Sequence, residues 1–236
     1  MGADVSGADR EASRYLMNRK LLAGSFVVLS ASLLMSAAQA TMPGEVVKDF
    51  KLTDHTGKTH TLYEPNSTKP IVLMIQGNGC PIVRHAMHDL KRISEQYASQ
   101  GVRFLLLNPN LQDTPQSIAK EVEEFGFPFP VLVDSKQEIG EALKVVRTAE
   151  VYVIDPQTRK LVYRGPIDDR LSYERQRPPQ HHWLVDALDA VLAGQPVKVA
   201  YNDGVGCLVN FPNRGKAHSN HQMDHDHHDH HDHSHH

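Results

Sequence analysis

Residues Ile71 to Ile75 read Ile-Val-Leu-Met-Ile, apolar at every position. A strand whose odd and even side chains are both apolar must be covered on both faces, so the chain has to build three layers around it. The segments on either side alternate in period. Glu45–Leu52 and Thr59–Leu62 read as a hairpin around Asp54-His55-Thr56-Gly57. Residues 81–98 place Ile82, Ala86, Leu90, Ile93 and Tyr97 on one helical face, with Val83 and Met87 beside them. Phe104–Leu107 is a second buried strand. Thr114-Pro115 gives a cap and a first-turn proline to a helix with Ile118, Val122 and Phe125 inward and Gly126 at its end. Val131–Val133 is a third strand, and Ser135-Lys136-Gln137-Glu138 reads as a capping box opening a short helix with Ile139, Ala142 and Leu143. Val151–Ile154 and Leu161–Arg164 flank a turn at Asp155–Thr158. Trp183–Leu192 is the last helix, with Leu184, Ala187, Leu188 and Val191 inward and Gly194 after it. This order predicts one α/β domain over 44–212, its mainly parallel central sheet made mixed by a final hairpin and flanked by helices.

The two ends stand outside that domain. Arg19 and Lys20, the apolar stretch Leu21 to Ala37 and the triplet Ala38-Gln39-Ala40 have the three-part layout of a secretory signal peptide. We expect 1–40 to be an amino-terminal extension plus signal peptide, with Met17 a better start than Met1, cleavage after Ala40 and a mature chain from Thr41. That predicts a periplasmic or extracellular protein, with membrane contact only through the signal peptide before cleavage. At the other end, ten of the nineteen residues from His218 to His236 are histidine and four are aspartate. Nothing in 213–236 can bury apolar surface, so a disordered tail is expected. Its imidazoles, His218, His221, His225, His227, His228, His230, His231, His233, His235 and His236, are candidate ligands for copper, nickel or zinc.

Composition narrows the function. Hydrophobic residues are 40% of the chain, enough for a core, and the net charge of −3 carries no basic excess, so nucleic acid is not expected as a partner. Two cysteines exclude a disulfide-rich scaffold and a four-cysteine zinc site. Cys80 lies in Gly77-Asn78-Gly79-Cys80-Pro81, after the central strand and at the start of the first long helix. Open α/β sheets place their sites at that strand end. The helix amino terminus favours thiolate over thiol, so Cys80 should titrate below the free value of about 8.5.

This order of elements, with Cys-Pro opening the helix, Leu105-Leu106-Leu107-Asn108, the stretch Val151 to Arg170 and the closing Gly206-Cys207-Leu208-Val209, resembles the thioredoxin-like superfamily. More narrowly it resembles secreted redoxin-domain proteins related to the alkyl hydroperoxide reductase/thiol-specific antioxidant group. The resemblance covers roughly 44–212. It implies a thioredoxin-like fold and redox chemistry at Cys80, either thiol–disulfide exchange or peroxide reduction, with no cofactor required and a thiol electron donor or disulfide substrate protein as partner. Three positions depart from the pattern. Val83 stands where the dithiol motif has its second cysteine. Gly77 and Leu73 stand where the peroxidatic motif has Thr and Pro. Thr148-Ala149 replaces the Thr-Pro of the loop facing the cysteine, and a cis bond before Ala149 costs about 2.5–4 kcal/mol, so that loop should be trans.

Cys207 follows Gly204-Val205-Gly206, and glycines on both cysteine approaches let two backbones come close. Two roles stand open for it: a resolving partner for Cys80, or one end of a permanent bridge pinning the carboxyl-terminal arm. A second function class is periplasmic copper or other transition-metal binding or delivery, in which the tail captures ions and Cys80 and Cys207 hold one, with His85 and His88 available as further ligands. The plainer reading of His85 and His88 is a solvated helix face, with His85 paired to Asp89. Asp168-Asp169-Arg170 offers a proton acceptor or, more simply, a turn cap.

Overall fold

In the computed structural model the described residues are 41–170, 178–212 and 214. The leader segment 1–40 and the tail histidines His218–His236 lie outside them. The elements are β1 (Lys51–Thr53), β2 (Thr59–Thr61), β3 (Ile71–Ile75), α1 (Pro81–Tyr97), β4 (Arg103–Asn108), α2 (Pro115–Phe125), β5 (Val131–Val133), α3 (Glu138–Ala142), β6 (Val151–Asp155), β7 (Lys160–Gly165) and α4 (Trp183–Leu192).

Five strands form the central sheet in the order β5-β4-β3-β6-β7, with β3 in the middle. β3 pairs in parallel with β4, and β4 with β5; β6 runs antiparallel to β3, and β7 to β6. The sheet is therefore evenly mixed rather than mainly parallel. The reversal comes with β6, which enters beside β3 from the opposite direction. The amino-terminal hairpin forms its own two-stranded sheet, and its first strand is only Lys51–Thr53, shorter than the expected Glu45–Leu52.

Strand β3 does what its composition requires. Val72 and Met74 face a core shared with Ile82, Val83, Leu90 and Ile93 of α1, Ile118 of α2 and Leu184 and Leu188 of α4. Ile71, Leu73 and Ile75 face the other core, closed by Leu62 after β2, Leu143 after α3, and Val209 and Phe211 of the carboxyl-terminal arm. Both layers are thus anchored on one strand. The start of α3 differs from the expected capping box. Gln137 takes the cap position in a left-handed conformation, and the Asp134 carboxylate accepts the Ile139 and Gly140 N–H groups instead. Ala142 is exposed and Val191 half-buried, each at the margin of its helix's apolar face.

A buried ion pair ties the arm to the sheet. Glu150, at the entry to β6, accepts two hydrogen bonds from Arg164 of β7, Nε at 2.8 Å and Nη2 at 3.0 Å, and a third from Tyr152 Oη. Both members are at most 3% exposed. Arg164 also donates to the carbonyls of Thr41 and Lys144, while its backbone pairs with Ala200 and Asn202 of the arm. Breaking such a pair from one side strands a buried charge. Glu150→Ala should therefore cost about 3–5 kcal/mol in urea unfolding; a loss below about 1 kcal/mol would show that water reaches Arg164.

Candidate functional site

The site forms where β3 ends. The chain turns through Gly77 and Gly79 (φ 73°) and delivers Cys80 to the cap position of α1, followed by Pro81. Cys80 is 3% exposed. Its sulfur lies 3.1 Å from Thr148 Oγ1 and 2.8 Å from Cys207 Sγ, a residue 127 positions away. Cys207 itself is partly exposed.

Two strips of backbone make this meeting possible. Residues 146–148, just before β6, pair antiparallel with 207–209 of the arm: Thr148 N–H donates to Cys207 O at 2.9 Å, Val209 N–H to Val146 O, and Arg147 bridges Leu208. Arg147 Nη1 also donates to Gly206 O. The approach is so close that a Cβ on Gly206 would lie 1.8 Å from Thr148 O. A Cβ on Gly77 would lie 2.4 Å from Asn110 Nδ2 and 2.9 Å from Thr148 Cγ2. Glycine is required at both positions for space, as the flanking glycines suggested.

Thr148 links the Cys80 sulfur to the Cys207 backbone. Its Oγ1 accepts the Cys207 N–H at 2.9 Å, which leaves its own hydrogen for the Cys80 sulfur. Burial pushes the Cys80 thiol up. Hydrogen bonds from the Cys207 thiol, the Thr148 hydroxyl and the Val83 and Cys207 N–H groups outweigh it and hold Cys80 below its ordinary value. The peptide bond between Thr148 and Ala149 is trans, and Ala149 adopts φ 59°, a conformation proline cannot reach. A different backbone solution thus presents the threonine to the cysteine.

The loop is braced by groups that periodicity does not reveal. The Glu121 carboxylate accepts a fork of hydrogen bonds from Arg84, both at 2.9 Å, and a third from Gly79 N–H. Asp113 accepts from Asn78 N–H and from the Asn108 and Asn110 amides, and Asn108 also donates to Gln76. Gln76 and Asn108 are buried. The available signal was polar residues at the ends of two buried strands, where a packed core would want none.

Other candidates are not drawn in. His85 and His88 are exposed on α1, and Asp89 pairs with Arg170 and Arg92. Asp168 is buried and held by Arg170, a structural ion pair rather than a proton acceptor at the sulfurs. Asp169 accepts from the Gln180 and His181 N–H groups, and His181 stacks on Trp183. Among the described residues no three His, Cys, Asp or Glu side chains group so as to hold a metal ion, so His85 does not join Cys80 and Cys207 in such a group.

A cysteine capping a helix beside a mixed five-stranded sheet is the layout that the sequence match then identifies. Residues 43–164, about half the chain, match the AhpC/TSA family. The chain belongs to that family, within the thioredoxin-like superfamily. It is 32% identical to an uncharacterized conserved protein from Geobacillus kaustophilus whose crystal structure superposes with a TM-score of 0.66, covering 73% of this chain and 94% of that one. A hypothetical protein from Sinorhizobium meliloti 1021 is 28% identical, with a TM-score of 0.64 over 72% of this chain and 94% of that one. Among curated relatives, the thiol-disulfide oxidoreductase ResA of Geobacillus kaustophilus is 28% identical over 116 residues, 49% of this chain and 65% of ResA. The chain thus spans somewhat less than two thirds of that relative.

Two outcomes follow from this geometry. Gly206→Ala should push the arm from the 146–148 strip, destabilise by about 1–3 kcal/mol, and speed alkylation of Cys80 in the folded, reduced protein; an unchanged rate would mean the arm does not shield it. Because the Cys80 thiolate is favoured, its alkylation should persist as pH falls below the ordinary thiol range and fade only at the lowered pKa. Thr148→Val should move that midpoint up by about one pH unit, the worth of roughly one hydrogen bond to a charge. Thr148→Ser should restore it, and a midpoint indifferent to both variants would remove the hydroxyl from the account.

Proposed function

We propose that the protein is a thiol–disulfide oxidoreductase whose redox couple is Cys80 and Cys207. The observation that carries this reading is the 2.8 Å approach of the two sulfurs, since an S–S bond of about 2.05 Å needs little further movement. Family membership and the likeness to ResA support it. Cys80, held toward thiolate, is the nucleophile that closes the internal disulfide, and Cys207 is its partner. The same hydrogen bonds that favour the thiolate stabilise the reduced state, so the bond opens more readily than a structural one.

Thiol exchange is better supported than peroxide reduction. The peroxidatic positions hold Gly77 and Leu73. The leader-like segment before Thr41 favours an extracytoplasmic setting, where either redox state of the pair can persist. The partner is a thiol donor or a disulfide-bearing substrate. The tail histidines supply a separate capacity for divalent transition metals.

The test is equilibrium with glutathione buffers of graded poise, followed by acid quench and mass mapping. A reversible two-electron transition between the dithiol and the Cys80–Cys207 disulfide in folded protein is expected. A bond that opens only on unfolding would make the pair a static staple and overturn the proposal.

A further inference from the structure

In the site as built, the two sulfurs are not equivalent toward solvent. Cys80 is 3% exposed and belongs to the core cluster with Ile82 and Val83. Cys207 is partly exposed and sits on the arm between two outward apolar side chains, Val205 at 39% and Leu208 at 70% exposure. Exchange at a disulfide needs the incoming sulfur to approach from the side opposite the leaving one. Cys207 is the member of the pair with exposure to solvent, and attack there expels the Cys80 sulfur. At Cys80 it has to begin away from Cys207, where the residue is closed in by its own core.

The backbone around the pair limits what can approach. An extended peptide that recognises a sheet edge does so by main-chain hydrogen bonds. Here the Thr148 N–H already goes to Cys207 O, the Val146 carbonyl already accepts Val209 N–H, and Arg147 already bridges Leu208. The fit at Gly206, where a Cβ would meet Thr148 O at 1.8 Å, leaves no room for a second strand beneath the arm. The edge facing Cys80 is occupied by the chain itself.

We propose that Cys207, rather than Cys80, is the sulfur that exchanges with the partner, and that the partner is a low-molecular-weight thiol or disulfide rather than an extended peptide added to the 146–148 edge. This rests on the redox couple proposed above and inverts the order expected from sequence. In the reducing direction, the Cys207 thiolate attacks one sulfur of the small disulfide and its other half leaves as a thiolate. The Cys80 thiolate then attacks the Cys207 sulfur and expels the second half. One substrate disulfide becomes two thiols, the protein dithiol becomes a disulfide, and the two protons lost by the protein thiols end on the products. Return to the dithiol takes two equivalents of a thiol reductant through the same steps reversed, with Cys80 as leaving group. A sulfur stabilised as thiolate is the better leaving group.

The experiment uses the full chain, reduced, with glutathione disulfide as probe, acid quench at early times, and peptide mapping. In the wild-type protein the early mixed disulfide should be on Cys207. In Cys80→Ser it should accumulate there, and in Cys207→Ser the remaining Cys80 should react at least about tenfold more slowly, access outweighing its thiolate character. A longer peptide disulfide should gain nothing over glutathione. Glutathione found first on Cys80 in the wild-type protein, or a Cys207→Ser variant that reacts as fast as Cys80→Ser, overturns the assignment while leaving the couple intact. A rate gain of about tenfold for the longer peptide would show that the arm lifts and yields its edge. If no internal disulfide forms at any glutathione poise, the couple falls, and this assignment with it.

Discussion

Everything at the site depends on the strip of antiparallel backbone between 146–148 and 207–209. It brings together two cysteines 127 residues apart and does so without a covalent bond. Its closest point is Gly206 against the Thr148 carbonyl, a contact that no other residue type could make. Because the arm is also held by buried Val209 and Phe211, and by Gln137 donating to Asn210 O, its position does not rely on a disulfide. A bridge closing so long a loop stabilises by about 4–5 kcal/mol in the chain-entropy model.

Behind the strip stands the Glu150–Arg164 pair. Thr148, Ala149 and Glu150 are consecutive and point to three tasks: hydrogen bonding at the sulfurs, a left-handed turn, and a buried carboxylate locked to β7. Ala149 N–H and Glu150 O also complete the ladder beside Ile75, the residue that leads into the cysteine loop. The loop bearing Cys80 and the loop bearing Thr148 are therefore fixed to the same end of β3. A buried pair of this kind adds little stability compared with an apolar substitute, but its directional hydrogen bonds set the register of the threonine. Displacement of that register by one residue would point Thr148 away from the Cys80 sulfur.

The parts of this arrangement that follow local rules were readable from the chain. The all-apolar Ile71–Ile75 demanded a central strand. The period of 81–98 gave α1 and its buried face, Thr114-Pro115 gave the start of α2, and the helix amino terminus gave the direction of the Cys80 shift, although the Cys207 thiol and the Thr148 hydroxyl contribute more to it. Local rules failed where two chemically reasonable caps competed. Ser135–Glu138 matches a capping box, yet Asp134, one residue earlier, reaches two N–H groups and wins. They were silent on Arg84–Glu121, Arg164–Glu150 and Gln76–Asn108, because partners 14 to 37 residues apart leave no periodic trace. They were silent too on which sulfur is the outer one. The partner sulfur comes from the arm, and the sequence marks the arm only by its glycines.

The absence of a second cysteine on the helix explains that outcome. Val83, where a helix-borne partner would sit, is fully buried in the core with Ile82 and Leu90. A second sulfur there would lie deeper than Cys80 and leave Cys80 as the exposed member. Supplying the partner from an arm laid across the helix amino terminus reverses the geometry. The covering segment sets a partly exposed cysteine against the buried one that the helix keeps beneath. The stabilising field of the helix terminus then acts on the sulfur that stays inside, and access acts on the one outside. Two properties that a helix-borne dithiol concentrates in one cysteine are here divided between two.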